Sequence, residues 1–207
     1  LMREIAPFLY QDYVRRRTVQ GNPDLDITHV HNADLRWEYF PSEVEILAAT
    51  AFYKYFRDPI EQVILDRNGN ITYLNVDGAT NFGGELEARI SLGRIHDSLA
   101  DFSLGANLTL VYSRVQLSQE QQLSATSSER PLAGQSPYVA NVILGYMPDG
   151  ADLELYLYYN VFGRRIEEVG RLGLPDVYLE PFHSLDFTLL WRFADHWSLK
   201  IAVENLS

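Results

Sequence analysis

The sequence predicts an all-β fold, an antiparallel up-and-down transmembrane β-barrel segment. Three observations predict it. Apolar and polar residues alternate with period two in long runs, the connections between runs are alternately short and long, and aromatic residues gather near the ends of the runs. Successive strand residues point to opposite faces, so each run has one apolar and one polar face. A spanning strand needs ~9–11 residues, whereas soluble strands average ~5–6, and these runs are of the longer kind.

The elements follow in chain order. Run 32–40 sets Ala33, Leu35, Trp37 and Tyr39 against Asn32, Asp34, Arg36 and Glu38. Run 44–56 is strand-like with mixed tracks. Run 82–92 alternates Phe82, Leu86, Ala88, Ile90 and Leu92 with Glu85, Glu87, Arg89 and Ser91. Run 101–113 alternates Phe102, Leu104, Ala106, Leu108, Leu110 and Tyr112 with Ser103, Gly105, Asn107, Thr109 and Ser113; Val111 is the exception. Tyr138, Ala140, Val142, Leu144 and Tyr146 mark 138–146, and 152–163 is again mixed. Leu185, Phe187, Leu189, Trp191 and Phe193 mark 183–193; Trp197, Leu199, Ile201 and Val203 mark 196–206. A further strand-like piece covers Ile5–Val14. On this reading Leu104, Leu108, Leu110, Phe187, Leu189, Trp191, Leu199 and Ile201 face lipid. Glu85, Glu87, Arg89, Asp186, Arg192, Lys200 and Glu204 face a lumen.

Short connections fall at Pro41–Glu43, near 94–100, at Met147–Asp152 and at Ala194–His196. Long ones fall at 57–81, 114–137 and 163–182. Their strict alternation is what a barrel shows when its two rims face different compartments. Within 57–81, Asn68-Gly69 between the apolar runs Ile60–Leu65 and Ile71–Val76 predicts a hairpin projecting beyond the membrane. The stretch from Gln119 to Ser128 is polar and reads as mobile. The grouping of Trp37, Tyr39, Phe40, Phe193, Trp197 and Tyr146 near short turns, and of Tyr112 and Tyr138 near long ones, resembles two interfacial girdles.

Composition excludes several classes. The net charge of −11 disfavours nucleic acid as a partner. The absence of cysteine excludes disulfides, zinc–thiolate sites and thiol nucleophiles. No apolar stretch reaches the ~18 residues of a membrane helix. The opening Leu1-Met2-Arg3-Glu4 has no signal-peptide pattern, which an exported mature chain or an internal fragment would also lack.

Candidate chemistry is sparse. His29 and His31 share one strand face, a possible metal pair; with only two ligands, two surface histidines near a loop are the better reading, and no metal is expected. Glu167-Glu168 and Glu85-x-Glu87 could be paired carboxylates, but a polar barrel interior already explains Glu85 and Glu87. Gly83-Gly84 is not followed by a helix, so it marks a bend or close packing and not a phosphate loop. Asn70, Asn107 and Asn205 begin sequons that occur often by chance. Arg15–Arg17 could bind an anionic ligand or lipopolysaccharide, although a solvated charge run is the plainer reading. Arg164 and Arg165 open a long loop and are the ligand-contact candidates, on loop position alone. No catalytic residue or cofactor is expected.

Several segments resemble, in family order, the middle and later barrel of TonB-dependent outer-membrane receptors. They are Arg3–Phe8, Arg15–Leu25, Ala51–Lys54 with Asp58–Glu61, Ala79–Glu87, Gly134–Tyr138, Tyr159–Ile166 and Val203–Leu206. The resemblance implies that residues 1–207 are one partial barrel domain, about eight or nine strands of a larger barrel of about 22 around a plug. Plug, first strands and last strand lie outside these residues. It further implies a bacterial outer-membrane transporter for a scarce ligand such as a siderophore, metal chelate, cobalamin, glycan or peptide. The implied partners are the plug of the same receptor, the TonB complex acting through that plug, outer-membrane lipid and the small ligand. The alternatives are a self-closed eight-stranded barrel with a structural or adhesive role, and a soluble carbohydrate-binding sandwich that buries its Leu, Phe and Trp tracks.

Overall fold

The computed structural model describes residues 2–14, 16–194 and 196–206. After a single helical turn, α1 (Met2–Ile5), a short pair β1 (Leu9–Asp12) and β2 (Arg17–Gln20) leads into the first long strand, β3 (His29–Ser42). Then come β4 (Glu45–Arg57), the hairpin β5 (Ile60–Ile64) and β6 (Ile71–Asn75), and the long strands β7 (Gly78–Ser91) and β8 (Phe102–Gln116). A capped helix, α2 (Gln119–Ser124), precedes β9 (Tyr138–Tyr146) and β10 (Leu153–Phe162). The short β11 (Arg165–Glu168) and β12 (Val177–Leu179), then β13 (Phe182–Ala194) and β14 (Trp197–Val203), complete the chain.

Eight of these strands form one antiparallel wall in the order β14-β13-β10-β9-β8-β7-β4-β3. All eight strand runs expected from periodicity are present. Each wall strand pairs with the next wall strand in the chain, so the wall is a meander. β3 and β14 stand at its two ends and are not paired with each other, so it does not close on itself as the eight-stranded alternative requires. It is also a single layer, which a sandwich is not.

One expected strand is not in the wall. Ile5–Val14 divides into a helical turn and β1, which joins β2 and the β5–β6 hairpin in a separate sheet of order β1-β2-β6-β5. The four residues of β1 are too few to cross a membrane, and their partner, β2, follows directly in the chain.

Register sorts the wall into two faces, because residues directly opposite across a ladder share a face. One row reads Trp37, Ala49, Leu86, Leu108, Ala140, Val161. Another reads Leu104, Leu144, Leu157, Phe187, Val203. The opposite face carries Glu38, Ala48, Glu87, Asn107, Asn141, Asn160 and Ser184 in one continuous row. Every expected lipid-facing residue falls on the first face. Glu85, Glu87, Arg89, Asp186, Arg192 and Lys200 fall on the second; Glu204 lies just past the end of β14.

Aromatic rows bracket the apolar face. Phe102 pairs with Tyr146, their rings 4.6 Å apart, at the short-turn rim. Phe82 pairs with Tyr112, 5.0 Å apart, toward the long-loop rim. From Phe102 to Tyr112 is ten residues, which at barrel tilt is about 25 Å of membrane normal, the height of an outer-membrane apolar band.

Candidate functional site

The dry core of the described residues lies in the long connections and not in the wall. Apart from Ala48 in the wall and Val19 in β2, the buried apolar side chains (Val63, Ile64, Ile71, Val76, Ala79, Val115, Val161, Ile166 and Val169) sit in those connections or at the strand ends beside them. Strand direction alternates, so the three connections at 58–77, 117–137 and 163–181 emerge from the same rim. There they fold against one another. Val63 and Val169 form a parallel bridge, and Ile64 N–H donates to Val169 O at 2.9 Å. Gly134 N–H donates to Ile166 O at 2.7 Å, and Leu172 N–H to Ser124 O at 2.8 Å. Val63, Ile166 and Val169 are the centre of this layer, with Leu74 and Ala133 packed on them.

Two ion pairs lock the layer. Arg130 binds Glu61 through both guanidinium NH2 groups, at 2.7 and 2.6 Å, with side chains 4% and 0% exposed. Ala133 N–H donates to the same carboxylate at 2.8 Å. Arg17 grips Glu168 through two nitrogens and so ties β2 to β11. The solvated run expected at 15–17 is therefore corrected at Arg17, a largely buried structural residue; Arg15 lies outside the described residues. Glu167-Glu168 is not an acid pair, since Glu168 is committed to Arg17.

The stretch expected to be mobile contains a short capped helix, α2. Ser118 caps α2 in a reciprocal capping box with Gln121, and Gln121 Nε2 donates to Asn75 O at 3.0 Å. The Ser-x-x-Gln spacing was the sequence signal for this helix start. The Asn-Gly hairpin is present, with Gly69 at φ +77°, a conformation open to glycine. At its tip the Asn70 side-chain amide, opposed by desolvation and reinforced by the Asn68 and Asn70 N–H groups, holds the Asp66 carboxyl below its ordinary pKa.

Arg164 and Arg165 lie where the layer meets the wall. The Arg164 guanidinium stacks 3.9 Å above the Tyr178 ring and its Nε lies 2.9 Å from Glu180 Oε1; the side chain is half exposed. It also borders a recess of about 230 Å³ shared with Ser113, Gln135 and Pro137. Arg165 stacks on Phe162 at 4.7 Å.

The polar wall face carries several separate hydrogen-bonded groups. Arg36 binds Glu87 at 2.7 Å and Glu38 at 2.6 Å, Asn107 binds Glu85 at 2.6 Å, Asn160 binds Asn141 at 2.6 Å, and Arg192 binds Glu154 at 2.7 Å. Glu85 and Glu87 are thus taken by different partners and are not an acid–base pair. His29 and His31 lie together on the apolar face side of β3, opposite Arg57 and Tyr55. Among the described residues no cluster of three metal-ligating side chains occurs. Gly83 is a close-packing position: a Cβ there would meet the Leu110 carbonyl. The sequon at Asn205 ends on Ser207, outside the described residues, and Asp195 of the last short turn is outside them too.

The profile of the TonB-dependent receptor-like β-barrel family matches residues 4–206. No curated protein matches the chain. Solved structures do. The ferric enterobactin receptor of Pseudomonas aeruginosa is 17% identical, with 92% of this chain and 27% of that one covered at TM-score 0.56. The ferric yersiniabactin uptake receptor of Yersinia pestis is 19% identical, with 86% and 25% covered at TM-score 0.61. The FrpB iron transporter of Neisseria meningitidis is 16% identical, with 88% and 26% covered at TM-score 0.59. The chain spans about a quarter of the length of the solved structures it matches.

Proposed function

The chain belongs to the TonB-dependent receptor-like β-barrel family, and from that premise we propose that it is part of the wall of a bacterial outer-membrane receptor that imports a ferric chelate. The observation that carries this reading is the two-faced register: an apolar face between aromatic rows, backed by a hydrogen-bonded polar face. The apolar face meets lipid. The polar face meets the plug of the same receptor, which takes energy from the TonB complex. A ferric chelate is the favoured ligand because the similar structures are described as receptors or transporters for ferric enterobactin, ferric yersiniabactin and iron.

The loop layer offers the ligand a preformed surface, since binding residues on a rigid scaffold lose less freedom on association. Arg164 and Arg165 supply planar cationic donors at its base, suited to the anionic oxygen ligands of a chelate. The test is uptake of radiolabelled ferric catecholate and ferric phenolate chelates by iron-starved cells with and without the full-length receptor. Uptake that requires both the receptor and TonB supports the reading. Uptake unchanged by deletion of either overturns it.

A further inference from the structure

We infer that the junction of the three long connections binds a halide ion, chloride in ordinary saline media, which ties them together. The inference concerns the loop layer alone and does not depend on which ligand the receptor imports. A cavity of about 40 Å³ lies where the connections meet. The first contributes Glu61 and Asn75 to its wall, the second Gln121 and Arg130, the third Val169 and Arg171. No residue lining it is exposed.

The charge of the cavity favours an anion. Its charged lining residues are Glu61, Arg130 and Arg171. The Glu61 carboxylate is already engaged, accepting from both Arg130 NH2 groups at 2.7 and 2.6 Å and from the Ala133 N–H at 2.8 Å. Those bonds use only the outer nitrogens of Arg130. Its Nε is buried with no hydrogen-bond partner in the protein, on a side chain that is 4% exposed. A charged donor left buried and unpaired is unfavourable. Arg171 donates Nη2 to Ser124 Oγ at 3.0 Å and, among the described residues, has no carboxylate partner. Two guanidiniums thus share one carboxylate, which leaves one positive charge in excess beside free N–H donors. Neighbouring carbonyl oxygens are engaged as well: Asn75 O accepts from Gln121 Nε2 at 3.0 Å, and Gln121 O accepts from the Ala125 N–H at 2.9 Å and from Ser124 Oγ at 3.1 Å.

Size and polarity select the kind of anion. One water needs about 10–15 Å³ of such space, so the cavity takes a monatomic ion with little room beside it. Val63, Leu74, Val76, Leu117, Ala125 and Val169 form the apolar part of the wall. A sulfate or phosphate would turn several acceptor oxygens toward those side chains, and unpaired polar atoms in apolar surroundings are costly. A halide has no directional acceptors, so it can take guanidinium N–H groups on one side and methyl groups on the other. A ferric chelate is far too large to enter. Water would pair with Arg130 Nε but would leave the positive excess in place.

The experiment uses the full-length receptor in detergent. Crystals are soaked in sodium bromide, and anomalous scattering locates the ion. Bromide in contact with Arg130 Nε is the expected result; water density there without an anomalous signal overturns the inference. In parallel, hydrogen exchange is read at the Ile64, Gly134 and Leu172 amides, whose bonds cross between connections. Sodium chloride is titrated against sodium gluconate at equal ionic strength, gluconate being too large for the cavity. Chloride should slow exchange at all three amides in the parent. Arg171→Gln should need about tenfold more chloride, the loss expected when one charged hydrogen-bond donor is removed. Arg67→Gln, at the exposed hairpin tip, should behave as the parent does. A bromide peak with no effect of chloride on exchange means an adventitious ion only and overturns the tie. Equal chloride dependence in the parent and in Arg171→Gln overturns the placement of the site. The bromide measurement is made on the parent, so it decides the matter even if Arg171→Gln misfolds. Neither readout involves uptake, so a receptor that imports a different ligand, or none, leaves this result standing.

Discussion

Replacing Arg130 by Ala should loosen the whole loop layer while leaving the wall standing. Arg130 and Glu61 are buried, joined by two short hydrogen bonds, and separated by 69 residues in sequence. Removing the arginine leaves the Glu61 carboxylate with one remaining donor, the Ala133 N–H. Breaking a buried pair in this way costs about 3–5 kcal/mol, against about 0.2–1 kcal/mol for an exposed pair such as Arg114–Glu129. At tenfold per 1.4 kcal/mol, the opened population of the layer rises by a hundredfold or more. Glu61 lies in β5, Arg130 in the 117–137 connection, and β5 bridges to Val169 in the third connection, so the three open together. The assay is hydrogen exchange of the full receptor in detergent, read at the Ile64, Val115, Gly134 and Val169 amides, with heat-modifiable migration as the check on the wall. All four should lose protection together in Arg130→Ala and not in Arg114→Ala, and Glu61→Gln/Arg130→Met should restore much of it because no charge is then stranded. Unchanged protection in Arg130→Ala, or loss confined to Val115 and its neighbours, would refute the reasoning.

Other outcomes follow from the same geometry. Leu108→Arg, midway between the aromatic rows on the apolar face, should cost about 2–4 kcal/mol in reversible refolding into vesicles, whereas Asn107→Arg on the polar face should be tolerated. Gly83→Ala should destabilise β7–β8 pairing, because its Cβ would press on the Leu110 carbonyl, a backbone atom that cannot swing away; a lowered unfolding midpoint in urea checks this. Asp66 is held below its ordinary carboxyl value, so its contribution to the β5–β6 tip is present above the unfolded pKa of about 4 and is lost as pH falls through the lower folded value. Proteolysis at Arg67 should therefore accelerate below that pH, and Asp66→Asn should remove the pH dependence. Deleting 118–128 should weaken ligand uptake and expose the β6 end that Gln121 caps, while heat-modifiable migration persists.

The wall was legible in the sequence because each wall strand carries its own evidence. A membrane imposes dry and wet sides on every crossing, so the period-two pattern of Phe102–Tyr112 or Leu185–Phe193 is complete within one strand. The mixed tracks of 44–56 and 152–163 have the same origin: Phe52 and Tyr156 sit on the polar face, where register and not residue type sets their side. The loop layer was much less legible. Its core joins Val63, Ile166 and Val169 across about a hundred residues, and Arg130 and Glu168 find their partners 69 and 151 residues away, with no local pattern to announce them. Polar composition at 119–128 reads as solvated chain unless the capping spacing at Ser118 and Gln121 is weighed. Ile5–Val14 has strand-like composition, and only the nearness of β2 reveals that it belongs to the layer.

The central claim is that one face of this wall meets lipid and the other a polar lumen, and β8 tests it most directly. The chain contains no cysteine, so single cysteines can be placed at each position from 103 to 110 with no other thiol in this region, spin-labelled in the full receptor, and reconstituted into vesicles. Collision rates with oxygen, which concentrates in lipid, should peak at 104, 106, 108 and 110. Collision rates with a water-soluble nickel chelate should peak at 103, 105, 107 and 109. Profiles without a two-residue period, or with the two reagents exchanged in phase, would contradict the account.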